Sequence, residues 1–336
     1  RLVRVAPEDY WYEQAPLGDP FWAAEFDVVE CGDAERAWGE LGDLPARTAY
    51  IGDDPARARA AGVPEDAVEP AGLVARLDWD RSYKTAYEVA CLDEASRLAA
   101  RGHVAARDAF EAGASELAIH HAYIEALGAT DADLPYGSSV ALDEKGAILH
   151  YEGKRTRGNG RVLLIDVGAR HLGYGSDITR TWTARDCPKE FVALVEGMDA
   201  LQQDLCAAVR PGLPYGHLHH RAHVAIADLL RNVGVLKRGG EEAVADGLTR
   251  PFFPHGLGHF LGVQTHDVAG HQAAPEGGVA EPPEPYPFLR TTRTIEPDMV
   301  FTIEPGAYFI EMLLRPHREG THSADFDWGL VERLAP

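Results

Sequence analysis

Leu163-Leu164-Ile165-Asp166-Val167-Gly168 and, after a turn, Gly173-Tyr174-Gly175-Ser176-Asp177-Ile178-Thr179-Arg180-Thr181 decide how this chain is read. An apolar strand runs into an aspartate, turns, and returns as a strand that starts with another aspartate. Positions 166 and 177 are symmetric about the midpoint between His171 and Leu172. An antiparallel hairpin with that symmetry sets the two side chains opposite each other, with Cβ atoms about 5 Å apart. Like charges so opposed on a buried strand pair destabilise it unless a cation sits between them. The competing reading has Asp177 capping a turn and Asp166 facing solvent. Three large apolar residues before Asp166 count against it.

Two further stretches supply partners. Phe252-Phe253-Pro254-His255-Gly256-Leu257-Gly258-His259-Phe260-Leu261-Gly262 is followed closely by Thr265-His266-Asp267. Gly256 and Gly258 disfavour a helix, so this is no helical zinc motif; glycines let the backbone approach a site closely and let imidazoles converge. In contrast, His217, His219, His220 and His223 lie in an amphipathic helical pattern without a carboxylate partner, and read as mostly surface. Met299-Val300-Phe301-Thr302-Ile303-Glu304-Pro305-Gly306 is an apolar strand interrupted by an acid before a Pro-Gly turn. A buried glutamate needs a partner, and a metal ion is a common one. Three carboxylates and one imidazole form a hard donor set that favours Mn²⁺, with Co²⁺, Mg²⁺ or Zn²⁺ as alternatives. Two such ions about 3.5–4 Å apart share a bridging hydroxide and polarise a carbonyl.

Working outward, 336 residues suffice for two domains. Strands are expected at Leu2–Val5, Phe26–Val29 and Thr48–Gly52, with a helix at Asp33–Trp38. A long helix is expected over Lys84–Ala112, bent or broken near Gly102, and another from the Ser115 cap to Leu127. Strands follow at Ser139–Leu142, Ala147–His150, Val162–Asp166 and Asp177–Thr181, then helices at Glu190–Val209 and Tyr215–Asn232. Gly277–Pro287 reads as an exposed loop. The class is α+β, with an α/β segment in front.

The formal charge is 32 − 53 = −21, which disfavours nucleic acid as a partner. No apolar run is long enough to span a membrane, and the first residues lack the apolar core of a secretory signal. Cys31, Cys91, Cys187 and Cys206 show no CxxC spacing, which fits a reducing cytoplasm.

From Asp9-Tyr10-Trp11 onward these motifs resemble the creatinase/methionine-aminopeptidase family of pita-bread fold, and within it the bacterial Xaa-Pro dipeptidases. The resemblance rests on Ala147-Ile148-Leu149-His150-Tyr151, Asp166-Val167-Gly168, Ser176 to Thr181, Phe253 to His259, and Thr302-Ile303-Glu304-Pro305-Gly306. It implies a partial creatinase-like α/β domain over 1–78 and a pita-bread catalytic domain over 79–336. It further implies Asp166, Asp177 (bridging), His259 and Glu304 as metal ligands, with Glu304 also passing a proton. His255 and His266 are then catalytic, while His150, His266 and Arg290 bind the substrate, Arg290 by gripping the dipeptide's C-terminal carboxylate. The family's fifth ligand lies in an Arg-Ile-Glu-Asp-like strand that the chain, ending at Leu334-Ala335-Pro336, stops short of; Glu332 does not align with it. Implied with these are two divalent ions, a small dipeptide substrate, a homodimer, and proline release through a metal-bridging hydroxide. Organophosphorus ester hydrolysis at the same site, or an inactive pita-bread binding module, are the alternatives.

Overall fold

The computed structural model describes residues 1–11, 20 and 22–335; Pro336 lies outside the described residues. The chain divides into two compact units, Arg1–Val74 and Ala75–Pro336.

In the first unit β1 (Leu2–Val5) pairs in parallel with β2 (Val28–Cys31), Leu2 against Val28. Helices α1 (Ala34–Gly39) and α2 (Pro55–Ala60) each start on an aspartate, Asp33 or Asp54, whose carboxylate accepts an amide of the first turn. The strand expected at Thr48–Gly52 is reduced to one bridge, Tyr50 to Val68. Asp54 and Pro55 begin α2 directly after it and leave no length to pair. Helix α3 (Ala71–Arg81) contains the division between the units.

The second unit opens with α4 (Ala86–Glu111) and α5 (Glu116–Leu127) packed together. Thr85 and Glu88 form a reciprocal capping box on α4, and Ser115 caps α5. Contrary to the expected break, α4 runs unbroken through Gly102. A Cβ there would lie 2.5 Å from the Leu127 side chain and 2.6 Å from that of Tyr123. The glycine marks where α5 comes closest, and is a packing requirement on an intact helix.

A three-stranded antiparallel sheet of order β3 (Ser139–Leu142), β4 (Val162–Asp166), β7 (Thr179–Thr183) lies beside this helix pair. Leu163 and Ile165 of β4 are buried with Ile119, Tyr123, Val140 and Leu142, so the alternate face carries Asp166. No strand forms at Ala147–His150. Asp143 turns with φ +52°, and its carboxylate accepts the Arg161 and Val162 amides at 2.8 and 3.0 Å. The sheet thus passes from β3 to β4 and leaves residues 147–150 in a short 3₁₀ turn and bend.

Between β4 and β7 lies a tight hairpin of β5 (Arg170–His171) and β6 (Tyr174–Gly175). Its turn residues, Leu172 and Gly173, have φ +49° and +90°, the left-handed pair that a two-residue hairpin turn demands. Gly173 therefore centres the hairpin one residue later than the aspartate symmetry suggested. Asp166 pairs with Thr179, and Asp177 falls outside β7. The two aspartates are diagonal neighbours, not directly opposed.

Helices α6 (Lys189–Ala208), α7 (Tyr215–Val233) and α8 (Gly240–Ala245) follow, and α6 and α7 pack through Leu201, Leu205, Leu218, Ile226 and Leu230. Part of the expected loop at Gly277–Pro287 is strand: β9 (Gly277–Val279) pairs with β8 (Gln272–Ala274). Helices α9 (Glu311–Glu319) and α10 (Trp328–Leu334) close the described chain. Glu332 on α10 pairs with Arg318 at 2.8 Å. Among the described residues no helix is long and apolar enough to cross a membrane.

The expected exposure of the α7 histidines is corrected for two of them. His219 and His223 are each 2% exposed. They pack against Phe253 and Tyr286, with His223 stacked on Tyr286 at 4.9 Å. Tyr286, far along the chain, supplies a cover that helical periodicity cannot reveal.

Candidate metal centre

Leu257, His259 and Leu261 run antiparallel to Val300, Thr302 and Glu304. The Thr302 amide donates to His259 O (2.9 Å), that of Glu304 to Leu257 O (2.8 Å), and that of Leu261 to Val300 O (3.1 Å). A Cβ on Gly258 would fall 2.3 Å from Thr302 O. The glycine spacing thus permits this approach and delivers His259 beside Glu304, although residues 299–303 form only isolated bridges and no regular strand.

At the centre, His259 Nε2 lies 3.1 Å from Asp177 Oδ2 and 3.2 Å from Glu304 Oε1. Its Nδ1 donates to Phe260 O at 2.9 Å, which fixes the tautomer and leaves Nε2 to face the carboxylates. Tyr136 Oη lies 2.8 Å from an oxygen of Asp166 and 2.8 Å from one of Asp177. Asp166, Asp177, His259 and Glu304 therefore share one locus. His266 joins it: ligand atoms of Asp177, His259 and His266 lie within 4.8 Å of one another.

The electrostatics match the crowding. Burial first, and the Asp177 charge second, push Asp166 up to about 7. Burial lowers His259, but hydrogen bonds to Asp177 and Glu304 outweigh it and raise it to about 10. Asp177 and Glu304 on one imidazole, with Asp166 joined through Tyr136, form a locus of excess negative charge, and an imidazole whose other nitrogen is bound to a carbonyl is how proteins orient a metal ligand. The donor set fits divalent cations with hard-ligand preference.

His255 lies against Phe253 and Tyr308. Its Nδ1 is 2.8 Å from Gly256 O, and its buried Nε2 has no hydrogen-bond partner among the described residues. Burial lowers its pKa, and the charges of His150 and Arg290 contribute in the same sense. His150 and Arg290 are both exposed, close enough to His255 for their charges to be felt. Burial, and next the neighbouring His259, lower His266.

Residues the motif reading passed over stand here too. Tyr136 touches both aspartates, and Thr302 Oγ1 donates to Glu304 Oε1 at 2.7 Å while accepting the His259 amide at 3.0 Å. Thr302 lies two residues before Glu304 in the extended stretch 299–306, and the period of two that sets alternate side chains on one side could have found it. Tyr136 gave no such signal, because its role depends on the segment before β3 lying beside β4.

Residues 90–330 match the model of metallopeptidase family M24. The chain belongs to this family of metallopeptidases, whose pita-bread fold accounts for the mixed helices and sheets described above.

The match narrows further at the front, where residues 1–79 fit the model of the Xaa-Pro dipeptidase N-terminal domain. The chain is 44% identical over 335 residues to the Xaa-Pro dipeptidase of Proteus mirabilis, covering 98% of this chain and 75% of that relative. It is 43% identical over 339 residues to that of Cronobacter sakazakii, covering 100% and 76%. Among solved structures, it resembles proline aminopeptidase P II of Yersinia pestis with TM-score 0.60 and 28% identity, over 70% of this chain and 51% of that one. A substrate complex of Escherichia coli aminopeptidase P matches with TM-score 0.61 and 25% identity, over 76% and 55%. The chain thus spans about three quarters of the dipeptidases and about half of these aminopeptidases.

Proposed function

We propose that this chain hydrolyses Xaa-Pro dipeptides and releases proline, using two divalent ions, Mn²⁺ by preference, held by Asp166, Asp177, His259 and Glu304. The observation that carries the reading is the shared locus of these four side chains, with His259 Nε2 between Asp177 and Glu304. Identity near 44% to dipeptidases over nearly the whole chain supports the substrate class.

The bound ions would supply an activated water and polarise the scissile carbonyl. The chain's own groups do the rest. Asp166 and Asp177 provide oxygens held in place by Tyr136. Glu304, fixed by Thr302 on one oxygen, takes the water's proton and returns it to the leaving prolyl nitrogen. His255 and His266 meet the oxyanion that develops at the carbonyl. His255 donates its Nδ1 proton to Gly256 O and, its pKa lowered by burial, presents an Nε2 unpaired among the described residues that takes up a proton as it meets the oxyanion. Arg290 pairs with the C-terminal carboxylate of the dipeptide, a contact that disfavours longer peptides, and His150 lines the same side. A homodimer in the cytoplasm belongs to this reading; the four unpaired cysteines support the reducing compartment.

The test is hydrolysis of Gly-Pro and Leu-Pro by the metal-stripped chain, with and without added Mn²⁺, beside Asp177→Asn. Proline release that requires Mn²⁺ and disappears in the variant upholds the proposal; no release from the loaded chain overturns it. Sedimentation velocity reads the dimer separately.

A further inference from the structure

His266 meets His259 in a T-shaped contact, with ring centroids 4.3 Å apart and planes at 80°. Among the described residues no hydrogen bond holds its ring, so its aim depends on the backbone that carries it.

The residue after it is anchored on every side. Asp267 Oδ2 accepts from Lys84 Nζ at 3.0 Å and Oδ1 from Arg81 Nη2 at 2.7 Å. Oδ1 also takes the Val268 amide at 3.0 Å, and the Asp267 amide donates to Phe260 O at 2.9 Å. Lys84 is itself tied down, its Nζ to Arg81 O and its amide to Asp298 O at 2.7 Å. The side chains of Lys84 and Asp267 are 1% and 3% exposed.

A buried ion pair adds little net stability compared with apolar residues of like size. What this one does supply is direction. The Asp267 amide joins the peptide beside His266 to Phe260, the residue beside His259, and the ion pair to Lys84 fixes the side chain of the residue that makes that bond, so the two imidazoles are held on one frame. We infer that Lys84 and Asp267 are positioning residues for His266, aiming its imidazole at the locus of Asp177 and His259 and acting on turnover through it. The inference rests on the reading of His266 as a site residue.

The experiment replaces the pair with apolar residues of similar volume, Lys84→Met with Asp267→Leu, in the full Zn²⁺-loaded chain, which is diamagnetic. The His266 ring resonances, assigned with His266→Ala, report its placement, and Gly-Pro hydrolysis with Mn²⁺ reports turnover. The paired variant is expected to fold, to shift or broaden the His266 resonances, and to lose about tenfold in kcat with little change in KM. Adding His266→Ala to it is expected to cost nothing more. Unmoved His266 resonances, or losses that multiply, overturn the inference. Shifted resonances with kcat unchanged uphold the positioning and count instead against a role for His266 in hydrolysis. Lys84→Gln with Asp267→Asn, which removes both charges together and leaves no buried charge unpaired, gives the same readings if the apolar variant does not fold.

Discussion

His259, in the histidine-rich stretch 255–266, and His219 and His223, in the equally histidine-rich α7, end in opposite electrostatic states. His259, between Asp177 and Glu304, is raised to about 10. His219 and His223, enclosed by Phe253 and Tyr286, are lowered to about 3, first by burial. Both groups are deeply buried, so burial alone does not separate them. Only one has carboxylates within hydrogen-bond reach. An imidazole becomes a candidate ligand through what faces it, and the same ring facing aromatic carbon becomes a neutral packing element.

The largest expected effect lies on the carboxylate side. His259→Ala should cut Mn²⁺-dependent Gly-Pro hydrolysis by at least roughly a thousandfold, since even outer partners of a metal ligand cost about 10–100-fold. His223→Leu should leave the rate of the folded protein within about twofold, as a packing residue would. If the two variants lose activity equally, the distinction drawn here fails.

Next is the pH dependence of stability, which takes opposite signs in the two regions. The unfolded chain protonates histidine near 6.5, above the folded value of about 3 for His219 and His223. Their contribution is whole above about pH 6.5 and is lost as pH falls toward about 3, on the order of 5 kcal/mol for each ring. His259 in the metal-stripped chain, raised to about 10, behaves in reverse: its contribution is whole below about 6.5 and is lost as pH rises through about 10. Urea unfolding across pH checks both limbs. An acid limb unchanged by His219→Leu with His223→Leu would contradict the assignment.

Tyr136→Phe removes the hydroxyl shared by Asp166 and Asp177. Mn²⁺ Kd, read by calorimetry, should rise about tenfold; an unchanged Kd would remove Tyr136 from the centre. The smallest effect is expected from Tyr286→Phe, which breaks the 2.7 Å contact with His220 Nδ1 but keeps the ring that covers His219 and His223. It should cost about 1 kcal/mol or less in urea unfolding, and a loss several times larger would mean the hydroxyl, not the ring, holds the stack.

Much of this was legible in advance. The strands at Leu2–Val5, Ser139–Leu142 and Val162–Asp166, and the helices of the second unit, appear within a few residues of their periodic patterns. The Asp166, Asp177, His259 and Glu304 side chains do meet. What failed did so for identifiable reasons. Ala147–His150 has strand-like composition, but Asp143 diverts the chain before it can pair. Gly102 looked like a helix breaker because its neighbour Tyr123 lies on another helix. The hairpin register slipped because Leu172 and Gly173 decide the turn, not the aspartates that flank it.

The sequence by itself determined most of the element types, the family, and which side chains can carry chemistry, because these depend on local periodicity and on motifs that are contiguous. Tertiary structure alone decided which histidines face carboxylates and which face aromatic rings. It also decided that Tyr136 bridges two aspartates and that Lys84 reaches Asp267. Each of these pairs residues far apart in the chain, and side-chain charge is set by distance in space, which no local pattern encodes.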